Sequence, residues 1–394
     1  MHTMKANILL LTLLLFVIGC ASSEKKGIQS DDGAIVIDVN SALKGEGRSI
    51  GDMVESVRIV PLETTEASVL NQFPKSVIVT GNYIFVEDFQ QNGIELLMFD
   101  KDGKFVKHFQ CGNGPGEIPS ISNVSFGGNN LYIFGYKNFL KYSEDGQFLD
   151  SKDYDGLMMN MSKFGDGFVA LQPETQNTDN KFKMFKFDST LNKVAELDLD
   201  PIPIAAPCGS VGFEGGDHLI YRSLDNNIYC CSDEGFKVKY RLDFSEFEYQ
   251  VPFDKYQDLP PEKHYMGFVT TCQEIESGKF IFTGNVHNSE DYLQVYLLTL
   301  KKSANVFYNK NTGKTWMWKY DEPSSPLEVM SEMGKAHIPG QKNTFFGIIL
   351  PEYMGDCWQN NPHNLFSDKD IEILKNAKPE DNPIIVIYKL KDDL

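Results

Sequence analysis

Tryptophan is scarce in this chain, with three in 394 residues, and cysteine is little commoner, with seven. No CxxC pair and no zinc-ligand spacing joins those cysteines, which argues against a structural zinc or thioredoxin-like site. Basic residues are outnumbered, 37 Lys and Arg against 55 Asp and Glu, for a net charge of −18. A surface of that sign repels phosphate backbones and anionic headgroups, so no nucleic-acid partner is expected. No apolar run reaches the ~20 residues that a membrane-spanning helix needs. There is no HExxH pair and no G-x-S-x-G elbow, the local signatures of a zinc protease and of an α/β-hydrolase nucleophile. No metal and no cofactor is therefore expected from local spacing.

What is present begins at the N-terminus. Lys5 precedes an apolar run from Ile8 to Ile18, broken by Thr12, and Val17-Ile18-Gly19-Cys20 closes it. A short apolar stretch ending in a small residue and a cysteine resembles the lipobox of bacterial lipoproteins. The resemblance implies cleavage before Cys20, a lipid on its thiol, and anchoring to a membrane of the cell envelope, the outer membrane, on its periplasmic or surface-exposed face. Two or three acyl chains would make such an anchor stable. Residues 1–19 are read as the signal peptide, 20–34 as a polar, aperiodic tether, and 35–394 as one folded domain. With Cys20 assigned, Cys111, Cys208, Cys230, Cys231, Cys272 and Cys357 remain. A chain this long buries a core without staples, so buried free thiols are expected over a disulfide framework.

The body of the chain repeats. Asp100-Lys101-Asp102-Gly103, Ser143-Glu144-Asp145-Gly146, Asp188-Ser189-Thr190-Leu191-Asn192 and Ser232-Asp233-Glu234-Gly235 follow one another at steps of 43 to 45 residues. Each is a hairpin signal between runs of strand-forming residues. Around the first lie 76–79, 83–88, 94–100 and 104–109. The later units place strands at 123–126, 131–135, 139–143 and 147–151, then 167–171, 183–187 and 194–199, then 210–214, 218–223, 227–232 and 237–244. Four short strands per forty-odd residues is the pattern of a β-propeller blade, and an irregular sandwich would not repeat so evenly. A fifth unit follows at about 272–320 and a last one at about 336–394, with a turn at Pro379–Pro383.

The expected fold is therefore all-β, a six-bladed β-propeller of four-stranded antiparallel blades with small helical inserts in the C-terminal half. Seven blades is the alternative, if residues 245–268 hide one more. Ring closure calls for a strand borrowed from the other terminus. VRIVPLE (57–63) is the natural donor, paired near IIVIYKL (384–390). The segment 351–383 is a second insert, with Ser367 and Asp370 placed to cap a short helix through IEILKNA.

Val60-Pro61-Leu62-Glu63-Thr64, Phe99-Asp100-Lys101-Asp102-Gly103, Gly112-Asn113-Gly114-Pro115-Gly116-Glu117 and Asp381-Asn382-Pro383-Ile384-Ile385 stand in that order. The order resembles the six-bladed β-propeller lipoproteins of Bacteroidetes, whose blades are related to NHL repeats. The resemblance implies this fold and an envelope location; it implies no reaction.

The glycine run at 112–117 lies between two strands, not between a strand and a helix, and lacks the Lys-Ser or Lys-Thr of a phosphate loop. That context favours a blade junction, with Glu117 left as a candidate ligand contact. Asn309-Lys310-Asn311-Thr312-Gly313-Lys314-Thr315-Trp316 resembles the peripheral Asp-box hairpin of sialidases, though a plain Asn-x-Gly hairpin accounts for it. His108, His218, His264, His287, His337 and His363 are scattered over the blades. Tyr353, Asp356, Trp358 and His363 combine stacking and hydrogen-bonding groups suited to a sugar or a peptide; the bland alternative has Trp358 packing on the rim. The functional expectation is an envelope lipoprotein that binds a glycan, a peptide or an envelope protein through one propeller face. The alternatives are a glycan-acting hydrolase or lyase working in the channel, and a structural part of an envelope complex.

Overall fold

The middle strand runs, YIFV, LYIF, FVAL and IYCC, are rich in β-branched and aromatic residues, the pattern of sheets buried on both faces. A computed structural model describes residues 30–394 apart from 72–73, 91–92, 113, 115, 136–137, 155–158, 173–180, 201, 203–217, 257–262, 299–302 and 320–323. The expected signal peptide, Cys20, most of the tether, Cys208 and the strand at 210–214 lie outside the described residues.

Six sheets form the ring. Blade 1 comprises Ser76–Val79, Tyr83–Gln90, Gly93–Asp100 and Phe105–His108. Blade 2 comprises Asn123–Gly127, Asn130–Phe134, Asn138–Ser143 and Phe148–Asp153. Blade 3 comprises Met159–Phe164, Gly167–Gln172, Phe182–Phe187 and Lys193–Leu199. Blade 4 holds Leu219–Ile220, Asn227–Ser232 and Gly235–Asp243. Blade 5 holds Ile281–Asn288, Tyr292–Leu298, Ser303–Asn309 and Thr315–Lys319. Blade 6 holds Ser331–His337, Thr344–Ile349 and Ile384–Leu390. The protein is a six-bladed β-propeller.

Because the strand period is two, alternate residues face the two neighbouring blades. Phe85 packs with Val124 and Ile133 of blade 2, while Ile84 and Val86 pack with Ile385 and Phe346 of blade 6. The same division holds around the ring. Separate apolar clusters fill the seams between blades 2 and 3, 3 and 4, 4 and 5, and 5 and 6. Blade 6 packs directly on blade 1, so the ring closes without a seventh blade in the 245–268 insert.

Closure is by Val54–Pro61, antiparallel to Ile384–Leu390, with Ile384 opposite Pro61 and Tyr388 opposite Val57. The N-terminal segment does more than the sequence reading assigned to it. Ile35–Asp38 adds a parallel strand to the outer edge of blade 4, and Arg48–Ser49 adds one to blade 5. A short helix, Val39–Lys44, capped by the Asp38 side chain, joins them. Residues 35–61 thus stitch three consecutive blades. The end of the expected tether is also docked: Ser30–Ala34 forms a turn, and Asp32 pairs with Arg241 of blade 4 at 2.7 Å.

The repeated acidic turns are the hairpins between third and fourth strands in blades 1 to 3 and, in blade 4, the hairpin between Asn227–Ser232 and Gly235–Asp243. Each receives a basic side chain from the preceding blade. Arg58 Nη1 donates to the Lys101 carbonyl at 3.0 Å, Lys107 Nζ to Gly146 at 2.8 Å, Lys152 to Ser189 at 3.2 Å and Lys186 to Ser232 at 2.8 Å. The repeat in the sequence is therefore also a repeat of inter-blade contacts.

Three expectations about boundaries change. Cys272 does not open blade 5; it lies in the helix His264–Glu274 of the preceding insert. The first strand of blade 6 starts at Ser331, not near 336. Pro379–Pro383 is no hairpin turn: it leads from the helix Asp368–Asn376 into Ile384–Leu390, whose partner Thr344–Ile349 ends before the insert begins. That helix has the expected cap. The Ser367 hydroxyl accepts from the Asp370 amide, and the Ser367 amide donates back to Asp370.

Candidate functional site

The antiparallel order gives the ring two unlike ends. One carries the hairpins between third and fourth strands. The other carries the connections that pass from each blade to the inner strand of the next, together with both long inserts. The glycine run belongs to this inter-blade end, between Phe105–His108 and Asn123–Gly127.

Glu117 turns back on its own loop. Its Oε2 accepts from the Gly114 amide at 2.8 Å, and its own amide donates to the Gly114 carbonyl. A Cβ on Gly112 would lie 2.1 Å from that carboxylate oxygen. Gly116 has φ +74 and sits against the Phe148 ring, with its carbonyl accepting from the Tyr142 hydroxyl at 2.9 Å. The glycines make room for a carboxylate that closes a tight blade junction.

The insert residues lie elsewhere. Trp358 is half-buried against the apolar cluster between blades 5 and 6, with the Lys375 ammonium 5.5 Å from its ring centroid. The His363 Nε2 lies 2.8 Å from Asp52 Oδ1, both side chains exposed. Asp356 is exposed, and so is Tyr353, at 58 %. Ile118, next to Glu117, belongs to the cluster between blades 1 and 2. The five candidates therefore fall on two separate seams, and among the described residues no contact joins Glu117 to the insert.

Sequence reading passed over a charged group at the inter-blade end of blade 1. Glu87 and Asp88 follow the apolar run in the strand Tyr83–Gln90, and both are buried. Lys75 Nζ lies 2.7 Å from Glu87 Oε2 and donates to the Ser122 carbonyl of the next blade at 2.9 Å. Burial pushes the Glu87 carboxyl above the ordinary glutamate range, with Lys75 opposing. Burial likewise raises Asp88, whose Oδ2 accepts from the Asn71 amide. Nearby, His108 pairs with Glu95 at 2.9 Å. Burial and the Glu95 charge raise the Cys111 thiol, which disfavours the thiolate. Two adjacent carboxylates inside an apolar strand were the available signal.

The other histidines are dispersed. His218 Nε2 bonds the Lys163 carbonyl, and His287 is buried in blade 5. Among the described residues, no three His, Cys, Asp or Glu side chains gather closely enough to hold a metal ion. Cys230, Cys231 and Cys357 are buried free thiols and Cys272 is half-buried, whereas Cys111 is exposed, contrary to the expectation of burial. At the hairpin end, a cleft of about 510 Å³ lies between the hairpins of blades 1 and 2, lined by Asn82, Asp100, Lys101, Asp102, Glu144 and Asp145 among others. Glu144 is occupied there, accepting from Thr80 and Asn82. Asn309, in the hairpin likened to an Asp-box, accepts from the amides of Asn311 and Thr312.

No functionally curated protein matches the chain. Its fold is similar to that of a Bacteroides fragilis protein named as exported, with a TM-score of 0.68 at 16 % identity over 91 % of this chain and 100 % of that one. A member of the DUF4221 family from Bacteroides vulgatus aligns with a TM-score of 0.48 at 9 % identity, over 86 % of this chain and 97 % of that one. The first likeness is to a propeller of the Bacteroidetes, the group to which the sequence resemblance pointed. Residues 34–389 match the family described as a domain of unknown function, DUF4934, and the chain belongs to that family.

Proposed function

We propose that this protein is a cell-envelope lipoprotein, held by a lipid on Cys20, whose inter-blade end binds a glycan, a peptide or an envelope protein. The observation that carries the reading is that the inter-blade end carries both long inserts and four exposed large apolar side chains. Val69, Phe89 and Met266, on inter-blade connections or at strand tips beside them, are 51 %, 54 % and 60 % exposed, and Tyr353 is 58 % exposed. Exposed apolar side chains mark interaction surfaces; among the described residues Val106, Phe148, Leu149 and Val194, on the outer strands of blades 1 to 3, are exposed as well, but the inter-blade end alone adds the two long inserts. The hairpin end is instead acidic and already engaged in contacts between blades. Glu117, Tyr353, Asp356, Trp358 and His363 remain proposed contacts, on two patches rather than in one pocket. The similarity to a protein named as exported supports the envelope location.

Two measurements test the reading. Cys20→Ala should move the protein from the membrane fraction to the soluble one; retention in the membrane would overturn the anchor. Purified protein should gain thermal stability with at least one member of a panel of envelope glycans and peptides, and the Val69→Ser, Phe89→Ser, Met266→Ser triple variant should lose that gain. An unchanged gain in the variant would remove this end from the interaction. Turnover of a panel glycan would replace binding by the hydrolase or lyase alternative.

A further inference from the structure

Lys75 stands between two obligations. It neutralises Glu87, a carboxylate that is 2 % exposed, and it donates to the carbonyl of Ser122, the last residue of the glycine-rich junction before the inner strand of blade 2. The side chain is 26 % exposed, so water lies within its reach. We infer that Lys75, Glu87 and Ser122 form a pH-sensitive latch that ties blade 1 to the glycine-rich junction at 109–122 and releases it when Glu87 takes up a proton.

The physical sequence is short. With Glu87 ionised, the ammonium has a reason to stay out of bulk water, and its remaining hydrogens fix the Ser122 carbonyl. A neutral carboxylic acid no longer offsets the desolvation of the ammonium. Lys75 then turns to solvent, and Ser122 loses a charge-assisted bond. Lys75 is the charged group facing Glu87; the polar groups facing it are the Ser76 side chain and the Val124 amide of blade 2. Burial shifts protonation above the ordinary value of 4.5, so release comes at milder acidity than for a surface glutamate. Above Ser122 the junction is held by bonds within itself, Gly112 to Ile118, Ile118 to Gln110 and Glu117 to Gly114, by the Tyr142 hydroxyl on the Gly116 carbonyl, and by Phe109, Ile118 and Ile121 in the apolar cluster between blades 1 and 2. Release therefore loosens the junction at its base, around Ser122, while these anchors keep the blades closed.

Amide exchange of the intact protein, corrected for intrinsic rates, tests the latch. From about pH 7.5 to about pH 4, below the ordinary glutamate value, protection of the Ser122 amide should fall about tenfold, the loss expected of one charge-assisted bond, while the 100–104 hairpin is unchanged. Glu87→Gln should show the low protection at both pH values, and Lys75→Met should do the same. Equal wild-type protection at both pH values would overturn the latch, and so would full protection in Glu87→Gln at neutral pH. If Glu87→Gln fails to fold, the wild-type comparison and Lys75→Met decide.

Discussion

Lys107, on the outer strand of blade 1, donates from its ammonium to the carbonyl oxygen of Gly146 in the hairpin of blade 2, 2.8 Å away. Equivalent bonds cross three further seams, so the pin recurs with the repeat. Lys107→Met keeps the aliphatic stem and removes the donor. It should lower stability by about 1 kcal/mol, the net worth of one such bond, measured by urea denaturation. No loss would show that the pins are decoration on seams held by apolar packing alone.

Closure of the ring depends on a glycine. Gly103 has φ +84, and a Cβ there would lie 2.1 Å from the Pro61 carbonyl oxygen on the closing strand. The Gly103 carbonyl also accepts from the Glu63 amide at 2.8 Å. Gly103→Ala should cost roughly 1–2 kcal/mol from the left-handed backbone alone, with a further loss as the closing strand is displaced. Gly340→Ala is the control, since its φ is +75 but no atom lies within 4 Å of a Cβ there. A thermal shift no larger for Gly103 than for Gly340 would show that closure tolerates the displacement.

Cysteine reactivity should separate by burial. Burial drives the Cys357 thiol up to about 12 and the Cys231 thiol to about 11. At about pH 8, iodoacetamide should label Cys111 first and leave Cys230, Cys231 and Cys357 intact until unfolding. Peptide mass spectrometry of native protein reads this directly. Early labelling of Cys357 would mean that the 351–383 insert opens.

Asp188 sets the acid limit of the blade 3 hairpin. Hydrogen bonds from Thr190 and Asn192 lower its carboxyl from 3.8 to about 2. A depressed carboxylate pKa stabilises the fold fully above the unfolded value and loses that contribution as pH falls through the folded one. The stability advantage of wild type over Asp188→Ala should therefore hold above about pH 4 and shrink between 3.8 and about 2. A gap that stays constant over that window would show that the carboxylate adds nothing as a charge.

Much of the architecture was legible because it is written locally. Asp-Gly and Glu-Gly turns at a fixed step, the apolar runs between them, Ser367 with Asp370 at a helix start, and the alternating segment 57–63 each state their own structure within a few residues. Less visible were the additions of Ile35–Asp38 and Arg48–Ser49 to blades 4 and 5. Two parallel strands of four and two residues carry too little pattern to announce partners more than two hundred residues away. The helix around Cys272 is likewise hard to tell from the start of a blade, because the insert shares the composition of its neighbours.

The sequence by itself settled the repeat and the donor of the closing strand, since these follow from short-range periodicity and the need to leave no open edge; the choice of six blades over seven came from the sheets of the folded ring. Only the tertiary structure decided where the chemistry-bearing side chains meet. Glu117 bends onto Gly114 rather than outward, Trp358 and His363 dock at a different seam, and Lys75 reaches across to Ser122. Such meetings depend on which faces the closed ring presses together, and side-chain contacts between blades leave no spacing in the chain to read.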